Sequence, residues 1–267
     1  MSPLPRPGDV VPSWRVISAS VCGTSHVRAN QPCQDRLRWE LLSGGRLLAA
    51  LADGAGSASY AEEGAELAVN TAIAAFRERA SAVPVDASDE EWKGVLRSVL
   101  EVARSAVVAE AAKRDVRPRE LASTLALLLI SPDLAVAAQI GDGAGLVGMT
   151  DGELVTLTKP GQGEYINETT FLTADDALES PQLEVRRGRF GRAALFSDGL
   201  QLLALKMPEA QPHTPFFSPL FRFAATVPDL AAAPKQLAAF LQSPRITERT
   251  DDDLTLLLAT LAPSPGK

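Results

Sequence analysis

Four aspartates stand at one kind of place in the chain. Asp53 follows the apolar run Leu47–Ala52 and precedes Gly54. Asp142 follows Leu134–Ile140 and sits between Gly141 and Gly143. Asp198 follows Ala193–Phe196 and precedes Gly199, and Asp252 lies just ahead of the apolar stretch Leu254–Leu261. Glycine beside a strand end lets the backbone turn sharply and approach a ligand closely. Converging strand ends of this kind would set several carboxylates on one rim. Carboxylates so gathered repel unless something positive lies between them. The least costly compensation is a hard divalent cation with oxygen ligands, Mg2+ or Mn2+. Two such ions about 3.5–4 Å apart are a standard device for hydrolysing phosphate esters. Zinc is disfavoured, because the chain has two histidines and two cysteines and shows no zinc-ligand spacing. One Asp-Gly after a strand is ordinarily only a turn, as at Asp151-Gly152; recurrence at four strand ends sets these apart.

The elements that must carry these residues read as follows. Strands are expected over Trp14–Cys22, Arg36–Leu42, Arg46–Ala52, Thr124–Ile130, Leu134–Ile140, Gly145–Met149, Leu154–Thr158, Arg192–Phe196 and Leu254–Leu261. Several are apolar throughout, which means that both faces are buried. The turns Ser43-Gly44-Gly45, Ser131-Pro132-Asp133 and Asp151-Gly152 are too short for a crossover, so the strands they join are antiparallel. Between the third and fourth strands lie two long amphipathic helices. One buries Ala65, Val69, Ala72, Ile73 and Phe76. The other opens with Ser88 and Glu91 at capping-box spacing and buries Trp92, Val95, Leu96, Val99, Ala103 and Ala106. A third helix starts near Pro234 and ends near Gln242. Strands in blocks rather than in βαβ alternation make the class α+β, two stacked sheets with helices outside.

Composition sets the bounds. A chain of 267 residues, 46% apolar and 22% charged, suits one sizeable domain. It is expected over residues 13–261, with a proline-rich leader at 1–12 and a tail at 262–267. A net charge of −7 argues against nucleic-acid binding, which needs clustered Lys and Arg. Cys22 and Cys33 are too few for a disulfide scaffold and suit a reducing compartment. Neither a signal peptide nor a membrane span is legible. The expectation is a cytoplasmic monomer.

Six stretches together resemble the metal-dependent Ser/Thr protein phosphatases of type 2C, above all their compact bacterial branch. They are Gly23-Thr24-Ser25-His26 with Gln34-Asp35; Ala52-Asp53-Gly54-Ala55-Gly56-Ser57; Ala122-Ser123-Thr124; Ile140-Gly141-Asp142-Gly143; Phe196-Ser197-Asp198-Gly199-Leu200; and Asp252-Asp253-Leu254-Thr255. Each is weak alone, but all six run in the family's order. The resemblance implies a four-layer α-β-β-α sandwich with metals in a cleft at one end. It implies that Asp53 bridges two Mn2+ or Mg2+ ions, that the Gly54 carbonyl binds one, and that Asp198 and Asp252 complete the shell of the other. Asp35 would hold a metal or its waters, and Asp142 matches the aspartate of a third, weaker site. Ser123 and Thr124 read as packing. The activity implied is hydrolysis of phosphoserine and phosphothreonine in proteins by a metal-activated hydroxide, opposing a Ser/Thr kinase. The alternative is a catalytically weak relative that binds phosphoproteins.

The chain departs from the family pattern at four places. Gln34 stands where many members have an acidic residue. Asn30 replaces a phosphate-gripping arginine, a role left to Arg28 or Arg36. Ala55 replaces a histidine proposed as general acid, a role open to His26, which equally fits a histidine hydrogen-bonded in a loop. Leu202 replaces an acidic ligand of the third metal. The stretch Gly161–Thr173 falls at the family's mobile flap. Its Asn167 and Thr169 could contact substrate, or the stretch could be an ordinary surface loop.

Overall fold

Alternation along the strands decides the layering. In the computed structural model, which describes residues 13–161 and 169–262, strand β3 (Arg46–Ala52) is buried along almost its whole length. Its residues Leu47, Ala49 and Leu51 pack toward a second sheet, while Leu48, Ala50 and Ala52 pack against helices. Strand β12 (Leu254–Leu261) divides in the same way, with Leu257 and Ala259 between the sheets and Leu256 and Leu258 under another helical layer. A side-chain period of two thus gives each central strand two buried faces. The result is the four-layer α-β-β-α order that the resemblance implied.

One sheet runs β1 (Trp14–Val21), β12, β9 (Phe190–Phe196), β6 (Ala144–Met149), β7 (Leu154–Thr158). The other runs β2 (Arg36–Leu42), β3, β4 (Leu125–Ile130), β5 (Leu134–Ile140), β8 (Gln182–Arg187). Every neighbouring pair is antiparallel. Helices α2 (Ala61–Ala82) and α3 (Asp89–Lys113) cover the second sheet. The expected capping box is present at α3: the Ser88 hydroxyl accepts from Glu91 N, and the Glu91 carboxylate accepts from Ser88 N. Such a cap is worth about 0.5–2 kcal/mol. On α3 the buried face also takes in Leu100 and Val107, with Val95 and Ala106 only half-buried.

Helices α5 (Thr214–Thr226) and α6 (Ala233–Leu241) cover the first sheet. The α6 helix matches expectation; α5 does not. Pro212, Pro215 and Pro219 are unfavourable inside a helix, and no helix was expected there. Yet Pro215 sits in the first turn, where no N–H is needed, and the buried Phe217, Leu220, Phe221 and Ala224 outweigh the bond that Pro219 forgoes. Strand β8 was also missed. It is a half-exposed edge with only Leu183 and Val185 to mark it. The remaining elements are short: α1 (Thr24–Ala29), α4 (Gln201–Ala204), the ribbon β10 (Leu205–Lys206) with β11 (Gln211–Pro212), and α7 (Pro244–Thr247). Residues 1–12, Asn167 and 263–267 lie outside the described residues. Among the described residues no helix is long and apolar enough to cross a membrane.

Candidate metal centre

Register brings the aspartates together. In the first sheet Val21 at the end of β1 pairs with Leu254 at the start of β12. Phe196 at the end of β9 lies between Leu256 and Ala144. In the second sheet Ala52 at the end of β3 faces Arg36, and Ile140 at the end of β5 faces Leu125. Asp53, Asp142, Asp198 and Asp252 therefore share one end of the sandwich. There they line a cleft of about 220 Å³ together with His26, Gly54, Ala55, Gly56, Thr124, Thr169 and Phe171. Two glycines make the arrangement possible. A Cβ on Gly23 would stand 2.3 Å from the Asp252 carbonyl carbon, and one on Gly199 would stand 2.2 Å from the Asp253 oxygen. The Asp252-Asp253 backbone is clasped between them.

The carboxylates are short of positive charge. Oxygens of Asp53, Asp142 and Asp198 lie within 4.8 Å of one another. Among the described lining residues there is neither Lys nor Arg. Burial first, and then Asp35, Asp198 and Asp252, push the Asp53 carboxyl well above its ordinary range. Burial and the neighbours Asp142 and Asp252 push Asp198 up to about 6. Asp252 is raised too, chiefly by burial. Just behind the cleft Asp35, 1% exposed, is pushed by burial up to about 7, against the lowering effect of its Ser197 hydrogen bond. Its Oδ2 accepts from Ser197 Oγ at 2.7 Å. Its Oδ1, like Oδ1 of Asp198, is buried with no partner. A buried anion left unpaired costs several kcal/mol. Hard oxygen donors, orphaned oxygens and a lack of lysine or arginine fit divalent cations of the Mg2+ or Mn2+ kind.

Other expected residues divide. Thr169 donates from Oγ1 to the Asp142 carboxylate and lines the cleft. Thr124 does more than pack, since its Oγ1 accepts from Asp53 N at 2.9 Å. Arg36 does not line the cleft. Its guanidinium is held by Glu62 and by the Cys33 and Asp35 carbonyls. Arg28 lies exposed on α1, two residues after His26, and is not itself among the lining residues. Asp253 and Ser197 went unassigned in sequence reasoning, although both adjoin a cleft aspartate. Asp253 Oδ1 accepts from Gly23 N at 2.7 Å and Oδ2 from Gln34 N at 2.6 Å. His26 Nδ1 lies 2.9 Å from Asp253 Oδ2. Zinc was disfavoured on spacing in the sequence; in space Cys22, His26 and Asp253 meet within 4.8 Å. Each Asp253 oxygen also accepts a backbone N–H.

A family model described as protein phosphatase 2C matches residues 22–242, including Asp53, Asp142 and Asp198. The chain belongs to the protein phosphatase 2C family. It is 40% identical over 256 residues to serine/threonine-protein phosphatase 3 of Escherichia coli K12, covering 94% of this chain and 99% of that one. Serine/threonine phosphatase Stp1 from Staphylococcus aureus shares the fold at 16% identity and a TM-score of 0.65, over 97% of this chain and 100% of the other. So does the catalytic domain of the serine threonine protein phosphatase PstP, solved with two manganese ions. There the identity is 24% and the TM-score 0.57, over 94% and 100% of the two chains.

Within the protein phosphatase 2C family the departures of this chain now have physical settings. Asn30 caps α1 at φ 54° and ψ 40°, a left-handed conformation that suits asparagine and would strain an arginine. Gln34 is buried, with Oε1 unpartnered. Ala55 lines the cleft. Leu202 is 78% exposed.

Proposed function

We propose that this chain is a metal-dependent protein phosphatase that hydrolyses phosphoserine and phosphothreonine. The observation that carries the reading is the cleft itself: four carboxylates converge there with no lysine or arginine among the described lining residues. Asp53, the Gly54 carbonyl, Asp198 and Asp252 would hold two divalent ions, with Asp35 behind them and Asp142 beside a third. When bound, such ions neutralise phosphoryl charge and make a bound water more acidic. The chain's own residues do the rest. Thr124 fixes the backbone of Asp53. Thr169 orients Asp142 and, with Asn167, contacts substrate; Arg28 remains the candidate for gripping phosphate. His26 gives a proton from its ring to the serine oxygen as the P–O bond breaks and the electron pair moves to that oxygen. The proton lost by the attacking water restores the ring. The substrate is a phosphorylated protein in the cytoplasm, phosphorylated there by a Ser/Thr kinase. A binding-only relative would have no use for a cleft of buried, uncompensated carboxylates.

Purified protein given a phosphoserine peptide should release phosphate only with Mn2+ or Mg2+ and stop on chelation. Full activity in metal-free buffer would refute the reading. In Mn2+, His26→Ala should slow peptide hydrolysis about 10²-fold. It should slow an aryl phosphate much less, because an aryl oxide leaves without protonation. Equal losses on both substrates would remove His26 from the proton step.

A further inference from the structure

His26 reaches the cleft on a six-residue helix, α1, that buries none of its residues. Such a perch does not aim a side chain. Something else must fix the ring if it is to deliver a proton along one direction. Asp253 is the group in contact with it. This carboxylate is 1% exposed and is held by N–H groups from two separate segments, Gly23 at 2.7 Å and Gln34 at 2.6 Å. Its place is therefore set without any help from His26. Oδ2 then lies 2.9 Å from Nδ1. Nδ1 is buried and makes no in-line hydrogen bond, so a small turn of the ring is needed to close this contact. Both oxygens of this carboxylate already act as acceptors. A bond to it commits Nδ1 to carrying hydrogen and leaves Nε2 as the exchanging nitrogen.

We propose that Asp253 is a positioning residue for His26: it takes up Nδ1–H and presents Nε2 to the leaving serine oxygen in the cleft. The proposal rests on the reading of His26 as proton donor. In the step itself Nε2–H passes to the serine oxygen while Nδ1 keeps its hydrogen on Asp253. The neutral ring then takes up the proton released by the attacking water. A chain with Ala55 after its Asp53-Gly54 pair thus draws its donor from α1, braced by the residue next to Asp252.

The test compares His26→Ala, Asp253→Asn and the double variant of the full chain in saturating Mn2+, on a phosphoserine peptide and on an aryl phosphate. Asp253→Asn should slow the peptide by between about 10-fold and the full 10²-fold of His26→Ala. The double variant should be no slower than His26→Ala. Aryl phosphate turnover and the Mn2+ concentration for half-maximal rate should barely move. Multiplying losses, or a raised Mn2+ requirement, would show Asp253 acting through Asp252 and overturn the proposal. An unimpaired Asp253→Asn beside a slow His26→Ala would overturn it and leave the donor role of His26 standing. An unimpaired His26→Ala would overturn both. Cys22→Ala should change nothing; a loss matching that of Asp253→Asn would point instead to a Cys22–His26–Asp253 metal site. Should Asp253→Asn fail to fold, nitrogen-15 spectra of the wild-type ring decide. A neutral His26 should carry its hydrogen on Nδ1, and a hydrogen on Nε2 would overturn the proposal.

Discussion

Two groups of carboxylates lie back to back across the Asp252-Asp253 peptide, and they live by opposite rules. In front, Asp53, Asp142, Asp198 and Asp252 crowd a cleft with no lysine or arginine among its described lining residues. Behind, Asp253 is more deeply buried than any of them. Yet it accepts two backbone N–H bonds and has an imidazole beside it. Burial alone therefore does not mark a site that needs a cation. The mark is burial without partners, as at Oδ1 of Asp35 and of Asp198.

Removing a charge from each group should separate them. In the front group Asp53→Asn should cut Mn2+-dependent turnover by at least about 10²-fold, as loss of a shared metal ligand outweighs the 10–100-fold typical of outer-shell changes. It should leave the metal-free melting temperature level or higher, because repulsion is relieved. Near-wild-type turnover would remove Asp53 from its bridging place. In the rear group Asp253→Ala should do the reverse to stability. It strands two N–H groups and the ring, at a cost of about 3–5 kcal/mol, measured by denaturant unfolding with chelator present. A change under about 1 kcal/mol would break the contrast.

Acidity sharpens the same comparison with a smaller effect. The folded protein holds the Asp35 carboxyl at about 7 and the Asp198 carboxyl at about 6, against an ordinary 3.8. Both are raised, so what they contribute to stability is fully present below about 3.8 and is lost as pH rises through about 6 and then about 7. Without metal, the melting temperature should therefore be higher at pH 5 than at pH 8. An effect of about 1 kcal/mol would move the midpoint by about 2–4 °C in a domain of this size. Saturating Mn2+ should invert the slope, because metal binds the deprotonated carboxylates. The same slope with and without metal would separate the titrating groups from the metal centre. Smallest of all should be Thr169→Val, which takes one donor from Asp142. A change in turnover of about fivefold is expected from a hydrogen bond worth about 1 kcal/mol; a loss as large as that of Asp53→Asn would move Thr169 into the centre itself.

The sequence made the front group legible because its aspartates follow runs that alternation cannot hide, such as Leu47–Ala52 ahead of Asp53. Leu254–Leu261 marks Asp252 from the other side. The three short-turn strand pairings and the α3 cap were readable for the same reason, since local pattern and final environment agree. The rear group was not legible. Asp251-Asp252-Asp253 reads as one acidic run, and only the strand register decides that Asp252 turns to the cleft while Asp253 turns inward. Helix α5 was hidden by prolines whose cost depends on where the first turn begins. The engagement of Arg36 with Glu62 depends on α2 lying across β2, a contact between segments that no local spacing records.

Strand order has a consequence for how this protein is made. Strand β12 is inserted between β1 and β9, so β1 must wait for a strand made much later before it gains a strand neighbour. Until then the ends of β1 and β9 that frame half of the cleft stay apart, and Asp252 is still in the tunnel or newly out of it. A growing chain can therefore complete its second sheet early, from β2 to β5 and then β8, and yet remain inert. Synthesis itself acts as a timer on this cleft, which closes only when β12 has been delivered.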